Sequence, residues 1–117
     1  MAWRQALQLQ DLQQQQRIVC TIEAHKILFI WHEDAVFAIQ SQCPHLKLPL
    51  KKGTITEQCT IICPFHKSEF DLNTGHVECW SKWPPVIGPL LGKLSTPHAL
   101  TIYPTRIQNE CIEVEIK

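Results

Sequence analysis

Two short motifs in the middle of the chain each combine a cysteine with a histidine. Cys43-Pro44-His45 is followed, after seventeen residues, by Cys63-Pro64-Phe65-His66. Each proline restricts the backbone just after its cysteine, so each motif indicates a tight turn that carries a thiolate and an imidazole. Two cysteines and two histidines can bind one tetrahedral zinc ion. They can equally hold a two-iron cluster, with both thiolates on one iron and both imidazoles on the other.

The segments before these motifs are predicted to be β-strands. Runs of β-branched and aromatic residues at 18–22, 26–31 and 35–39 are separated by the polar connectors Glu23-Ala24-His25 and His32-Glu33-Asp34. Short polar connectors between such runs are typical of hairpin turns, so three consecutive strands are expected. The two histidines of these connectors are expected to be solvated.

The end of the chain also has strand character. Runs at 100–103 and 105–107 are followed by a turn at Asn109-Glu110 and by an alternating segment at 111–116. Because side chains alternate between the two faces of a strand, the isoleucines and valine of this segment should point inward and its glutamates toward solvent. The inward set is Ile112, Val114 and Ile116, and the outward set is Glu113 and Glu115.

The middle and the start of the chain are less regular. Residues 41–89 contain four of the six cysteines and six of the eight prolines, with brief strand candidates at 59–63 and 70–72 and a turn signal at Asn73-Thr74-Gly75. Residues 6–15 form a helix-like patch in an N-terminal arm. The pattern predicts an all-β domain with a loop-rich insert.

Composition excludes several classes of function. The 117 residues, 44% of them hydrophobic, suit a single domain, and eleven basic residues balance eleven acidic ones, so no basic field favours nucleic acid. No apolar run exceeds five residues, against about twenty for a spanning helix. No secretory signal is visible, so the expected location is the cytoplasm, where thiols stay reduced or bind metals. The cysteines outside the two motifs, Cys20, Cys59, Cys79 and Cys111, are expected to be small buried apolar side chains.

The order of the ligands helps to separate the two metal chemistries. Each motif supplies one cysteine and one histidine among predicted strands, whereas a structural zinc site commonly groups its cysteines before its histidines. The chain resembles the Rieske iron-sulfur proteins, specifically the soluble low-potential ferredoxins. The resemblance extends to Leu48-Pro49-Leu50, Gly53-Thr54-Ile55, Thr60-Ile61-Ile62, Phe70-Asp71-x-x-Thr74-Gly75 and Tyr103-Pro104-Thr105-Arg106-Ile107.

The resemblance implies a fold and a cofactor. The fold would be an antiparallel β-barrel or sandwich of the Rieske type, with residues 1–117 as one domain and a small cluster-binding subdomain at about 42–85. One 2Fe-2S cluster would be bound, with Cys43 and Cys63 on the inner iron and His45 and His66 on the outer iron. Neutral imidazoles in place of two thiolates make the cluster less negative and raise its reduction potential.

Comparison with high-potential members of the family indicates a potential low in the Rieske range. Those members have a disulfide between the positions of Leu48 and Phe65, which cannot form here. In those members, the hydroxyl groups of a serine and a tyrosine also donate hydrogen bonds to the cluster sulfurs. Ser68 retains one of these hydroxyls, and Phe70 lacks the other.

Lysine occupies positions 47 and 67, where relatives often have glycine. The loop tip is therefore positively charged and is expected to steer an acidic partner.

The expected function is single-electron transfer by a protein that is not itself an enzyme. The implied partners are a donor, either a flavin-dependent reductase or another ferredoxin, and an acceptor, a terminal oxygenase or other redox enzyme; the protein is expected to be a monomer. Two alternatives remain at this stage. One is the small subunit of an assimilatory nitrite reductase. The other is a zinc-stabilised interaction module that presents residues 80–85, a Trp- and Pro-rich stretch that could otherwise cover the cluster.

Overall fold

Antiparallel β-sheets dominate the structure, a computed structural model that describes residues 2–42, 49–64, 68–79 and 99–116. The all-β prediction is confirmed. The chain divides into a first unit, Met1–Ser41 with Ile102–Lys117, and a second unit, Gln42–Thr101. No helix in the described ranges is both long and apolar enough to span a membrane. A single domain over the whole chain, with its cluster-binding part at about 42–85, stays a prediction.

The described ranges contain eleven strands and one short helix. The helix is α1 (Leu9–Gln15). The strands are β1 (Ala2–Gln8), β2 (Arg17–Ile22), β3 (His25–His32), β4 (Ala35–Gln40), β5 (Thr54–Ile55), β6 (Thr60–Ile62), β7 (Glu69–Asp71), β8 (Val77–Cys79), β9 (Ile102–Tyr103), β10 (Thr105–Gln108) and β11 (Cys111–Ile116).

The first unit builds its core from two sheets, ordered β1-β11-β10 and β2-β3-β4-β9. The predicted alternation in β11 is confirmed, because its isoleucines and valine are buried and join residues of α1, β3 and β4 in one apolar cluster. The glutamates of β11 are less exposed than predicted, because Glu113 and Glu115 are both half-buried. Glu113 accepts a hydrogen bond from the Arg106 guanidinium at 2.5 Å. The buried members of the cluster are Leu12, Ile27, Phe29, Ala38, Ile112, Val114 and Ile116.

Three two-residue turns close the hairpins of the first unit, as the sequence predicts. At all three, both central residues have positive φ, between 49° and 71°. Two consecutive positive-φ residues match the right-handed twist of the flanking strands, which is why such turns favour tight hairpins. The turn residues are Glu23-Ala24, Glu33-Asp34 and Asn109-Glu110. The prediction that His25 and His32 lie in turns is wrong: they are the first and last residues of β3 and are half-buried.

The N-terminal prediction is also partly wrong. The predicted ordered arm is in fact the strand β1 over residues 2–8, and the helix-like patch predicted at 6–15 is a helix only in α1. β1 pairs with β11, more than a hundred residues away, with Ala2 opposite Ile116 and Gln8 opposite Cys111. The sequence of β1 has little β-branched or aromatic character, so its extended conformation depends on the hydrogen bonds offered by β11. Local propensity therefore could not identify it.

The second unit contains one sheet in the order β5-β6-β7-β8. Its strands β6 and β7 correspond closely to the predicted runs at 59–63 and 70–72. The predicted turn at 73–75 is confirmed: the Asp71 carboxylate accepts hydrogen bonds from the backbone N–H groups of Asn73 and Thr74, at 2.7 and 3.2 Å. Gly75 closes this turn with φ of 80°, a conformation that glycine adopts without strain.

Candidate metal centre

The second cysteine-histidine motif lies in the loop that joins β6 to β7. Cys63 directly follows β6, and Ser68 directly precedes β7. The backbone N–H of Cys63 donates a hydrogen bond to the carbonyl of Ser68 at 2.7 Å, which holds the two ends of the loop together. Both residues are buried, with 1% and 0% of their surfaces exposed. The Cys63 sulfur therefore stands in a setting from which water is largely excluded.

The ends of the first motif's loop are also held together. Gln42 and Pro49, the residues on either side of segment 43–48, form an antiparallel bridge. Each predicted cysteine-histidine pair is therefore carried by a segment of the chain whose two ends meet. Constraining the ends of a short loop removes much of the conformational entropy that metal binding would otherwise have to overcome.

A glycine ties the chain after the first motif to the strand that leads into the second. The Gly53 N–H donates to the Leu50 carbonyl at 2.8 Å and so closes a turn. A β-carbon at Gly53 would stand 2.7 Å from the carbonyl oxygen of Ile62 and 2.9 Å from a side-chain carbon of Ile61. Only glycine allows this close approach. The turn after the first motif therefore packs directly on β6, one residue before Cys63.

A chain of hydroxyl and carboxylate groups braces the hairpin below the second motif. The Thr60 hydroxyl donates to a Glu69 carboxylate oxygen at 2.6 Å, and it lies 2.6 Å from the Thr56 hydroxyl. Thr60 is 4% exposed. A hydrogen bond to an ionised group in a setting of low polarity is among the stronger ones. Sequence reasoning missed this network, because the partners meet only through the pairing of Thr60 with β7.

Three of the four predicted ligands, Cys43, His45 and His66, lie outside the described residues. Among the residues that are described, no three His, Cys, Asp or Glu side chains are placed to hold a metal ion. The chemistry of the donor set fits a [2Fe-2S] cluster: Cys63 is a buried thiol, not part of a disulfide, at the end of a braced strand. The ligand set as a whole stays a prediction.

Two residues expected to influence the potential are resolved. Ser68 and Phe70 are both fully buried, at 0% exposure. Phe70 lies in the middle of β7, opposite Ile61. The phenyl ring offers no hydroxyl at this position. Four other positions expected to influence the reduction potential lie outside the described residues: Lys47, Leu48, Phe65 and Lys67. The segment 80–85 lies outside them as well.

The remaining cysteines are less buried than predicted. Cys20, Cys59 and Cys111 are half-buried thiols rather than fully buried ones. Burial raises the pKa of the Cys20 thiol, so this side chain stays neutral. The Cys111 sulfur lies 3.4 Å from the side-chain nitrogen of Gln5. The side chain of Cys79 lies outside the described residues.

Comparison with known proteins finds a matching family and similar folds. The family model for the Rieske [2Fe-2S] domain matches residues 2–100. Over 65 residues the chain is 31% identical to the ferredoxin component of the alkene monooxygenase system of Xanthobacter autotrophicus, which covers 56% of this chain and 53% of that protein. The matched part thus spans about half the length of this relative.

Two solved structures share the fold. The ferredoxin of carbazole 1,9a-dioxygenase from Nocardioides aromaticivorans has a TM-score of 0.76 at 21% identity, and each chain is covered over 100% of its length. A protein described as the small subunit of an NADPH nitrite reductase has a TM-score of 0.73 at 17% identity, covering 99% of this chain and 100% of that one. At such identities these two matches establish the fold alone.

Proposed function

Because this chain belongs to the Rieske [2Fe-2S] domain family, we propose that it is a soluble one-electron carrier of the cytoplasm. One [2Fe-2S] cluster per chain would be held by Cys43 and Cys63 on one iron and by His45 and His66 on the other. When bound, the cluster supplies one-electron redox chemistry. The observation that carries the proposal is the placement of buried Cys63 at a loop whose ends are joined by a 2.7 Å hydrogen bond.

The surrounding residues have distinct tasks in this function. The β6–β7 hairpin holds Cys63 in position, and the Thr60–Glu69 hydrogen bond fixes the base of that hairpin. Ser68 and Phe70, both fully buried, limit the access of water. A rigid setting of this kind suits electron transfer, because the site need not reorganise when its charge changes.

The expected partners are redox proteins. The relative from Xanthobacter is a ferredoxin component of a monooxygenase system. By analogy, this chain would accept an electron from a reductase or another ferredoxin and deliver it to a terminal oxygenase or another redox enzyme, without being an enzyme itself. The lack of an excess of basic residues argues against nucleic acid as a partner.

The reduction potential is expected to be low for this cluster type. Leu48 and Phe65 cannot form the disulfide of high-potential members, and Phe70 has no hydroxyl to offer to a cluster sulfur. Each missing feature leaves the reduced, more negative state less stabilised. The potential should therefore lie in the lower part of the range from about −150 to +300 mV.

The proposal is tested by metal analysis and spectroscopy of protein prepared without oxygen. We expect about two irons and two sulfides per chain, a reddish-brown colour, and an electron paramagnetic resonance signal after reduction with dithionite. A colourless protein that contains zinc would instead support the interaction module.

The ligand assignment is tested separately by substitution. His45→Cys and His66→Cys should each lower the reduction potential of the cluster that remains, because a thiolate adds negative charge. His76 is an exposed histidine of the same unit. The variant His76→Cys is therefore the matched control and should leave the reduction potential unchanged. Equal potentials in all three variants would contradict the assignment.

A second candidate is the small subunit of an assimilatory nitrite reductase. A protein described as such a subunit shares this fold over 100% of its length, so the same scaffold can serve that role. Copurification distinguishes the two candidates: a nitrite reductase subunit would form a stable complex with a large catalytic chain, whereas a carrier would exchange between partners.

A further inference from the structure

A carboxylate lies next to the loop that carries Cys63. Glu69 is the first residue of β7 and pairs with Ile62, the residue that directly precedes Cys63. Glu69 also directly follows Ser68, whose carbonyl accepts the 2.7 Å hydrogen bond from the Cys63 N–H. Strand pairing and chain connectivity therefore both fix the backbone of Glu69 beside the second motif.

Two hydroxyl groups hold the side chain of Glu69. One of its carboxylate oxygens accepts the hydrogen bond from the Thr60 hydroxyl at 2.6 Å. Because this bond uses the single hydroxyl hydrogen of Thr60, the Thr56 hydroxyl must donate to the Thr60 oxygen, 2.6 Å away. Both hydroxyl dipoles thus point along one chain toward the carboxylate. Such a chain strengthens its own bonds and stabilises a negative charge at its end.

Glu69 differs from the other three acidic residues of its unit. Glu57 and Glu78 are exposed, so water and salt screen their charges. Asp71 lies two residues farther along β7, and its carboxylate is bound to backbone N–H groups of the following turn. Among these four acids, Glu69 alone combines a half-buried carboxylate with a place directly beside the loop of Cys63.

A fixed negative charge beside an iron-sulfur cluster acts on its reduction potential. Reduction adds one negative charge to the cluster, and this costs more free energy when another negative charge lies nearby. In a partly buried setting, salt screens this repulsion less than it does at an exposed position. A carboxylate held in place at Glu69 should therefore favour the oxidised cluster and lower the potential.

We propose that Glu69 sets the reduction potential of the cluster through its charge, and that Thr60 positions the carboxylate for this task. The inference rests on the proposed carrier function. It adds an electrostatic cause of a low potential to the missing disulfide and the missing hydroxyl at Phe70. The effect is separate from the stability of the hairpin, because a neutral side chain of the same shape would keep the hydrogen bond but not the charge.

The test compares the midpoint potentials of cluster-loaded full-chain variants, measured by redox titration followed by visible absorption. Glu69→Gln removes the charge but keeps the shape and an oxygen that can accept the hydrogen bond from Thr60. Glu57→Gln removes the charge of an exposed glutamate of the same unit and is the matched control. Thr60→Val keeps the charge of Glu69 but removes the hydroxyl that holds it. Titrations are run at about 0.01 M and about 1 M salt, where the screening lengths are about 30 and 3 Å.

We expect Glu69→Gln to shift the potential to more positive values at both salt concentrations. Glu57→Gln should give a smaller positive shift at about 0.01 M salt and none at about 1 M. Thr60→Val should shift the potential in the same direction as Glu69→Gln but by less, because the freed carboxylate can turn toward water. The double variant Thr60→Val/Glu69→Gln should match Glu69→Gln, since Thr60 has no charge left to position.

The outcomes separate this inference from the carrier function. A cluster-loaded Glu69→Gln whose potential shifts no more than that of Glu57→Gln would overturn the role of Glu69 and leave the carrier function intact. A double variant whose shift equals the sum of the two single shifts would refute the positioning role of Thr60. Wild-type protein that binds no cluster would refute the proposed function and this inference with it. If Glu69→Gln does not retain its cluster, Glu69→Ala replaces it, with the same positive shift expected and the same comparison deciding.

Discussion

The hydroxyl of Thr60 should stabilise the hairpin that carries Cys63. Thr60→Val removes that hydroxyl but keeps the shape of a side chain that is only 4% exposed, so no cavity forms. It removes the 2.6 Å hydrogen bond to the Glu69 carboxylate and separates Thr56 from its partner. Hydrogen bonds to charged groups contribute about 1.5–3 kcal/mol.

Because Glu69 is half-buried, water can replace part of this bond, and the lower end of that range applies. We therefore expect the free energy of unfolding to fall by about 1.5 kcal/mol. At roughly 4 °C per kcal/mol for a chain of this size, the Tm should fall by about 6 °C.

The assay is thermal unfolding of the cluster-loaded protein, followed by far-ultraviolet circular dichroism at one fixed heating rate. Thr54→Val, at an exposed threonine in β5 of the same sheet, is the matched control. A double-mutant cycle with Glu69→Ala isolates the pair and should give a coupling free energy of about 1 kcal/mol.

Two results would refute the reasoning. One is a Tm for Thr60→Val that equals the Tm of Thr54→Val. The other is a coupling free energy below about 0.5 kcal/mol, the level at which independent sites are additive. Either result would mean that the network does not stabilise the hairpin.

Three further predictions follow from single positions. Gly53→Ala should lower the free energy of unfolding by about 1–3 kcal/mol, because its new β-carbon would lie 2.7 Å from the Ile62 carbonyl; an unchanged Tm would contradict this. Phe70→Tyr should raise the reduction potential in a redox titration by placing a hydroxyl where high-potential members have one, and a lower potential would exclude that effect. Ala24→Gly should stabilise the protein by roughly 0.5–1 kcal/mol in the same melting assay, because alanine is strained at φ of 71°; the strand variant Ala35→Gly should destabilise it.

Short-range patterns in the sequence predicted most of the local elements and a candidate set of metal ligands. The strands β2 to β4 follow from short runs of β-branched and aromatic residues, and the alternation in β11 follows from side chains that point to two faces in turn. Neither pattern needs a distant partner. The two cysteine-histidine pairs can be identified from residue type and spacing alone. Their assignment as the four ligands of an iron-sulfur cluster rests on the family resemblance and stays a prediction. The family resemblance of the sequence is confirmed by the match over residues 2–100.

Tertiary structure decided what depends on contacts between distant segments. β1 is a strand because β11 supplies its hydrogen bonds, and local propensity does not indicate this. The Thr60–Glu69 bond exists only because β6 and β7 pair in one register, and Gly53 is required only because Ile62 lies against it. A sequence contains the partners of each such contact, but their distance in space is a property of the folded chain, since register and packing bring them together.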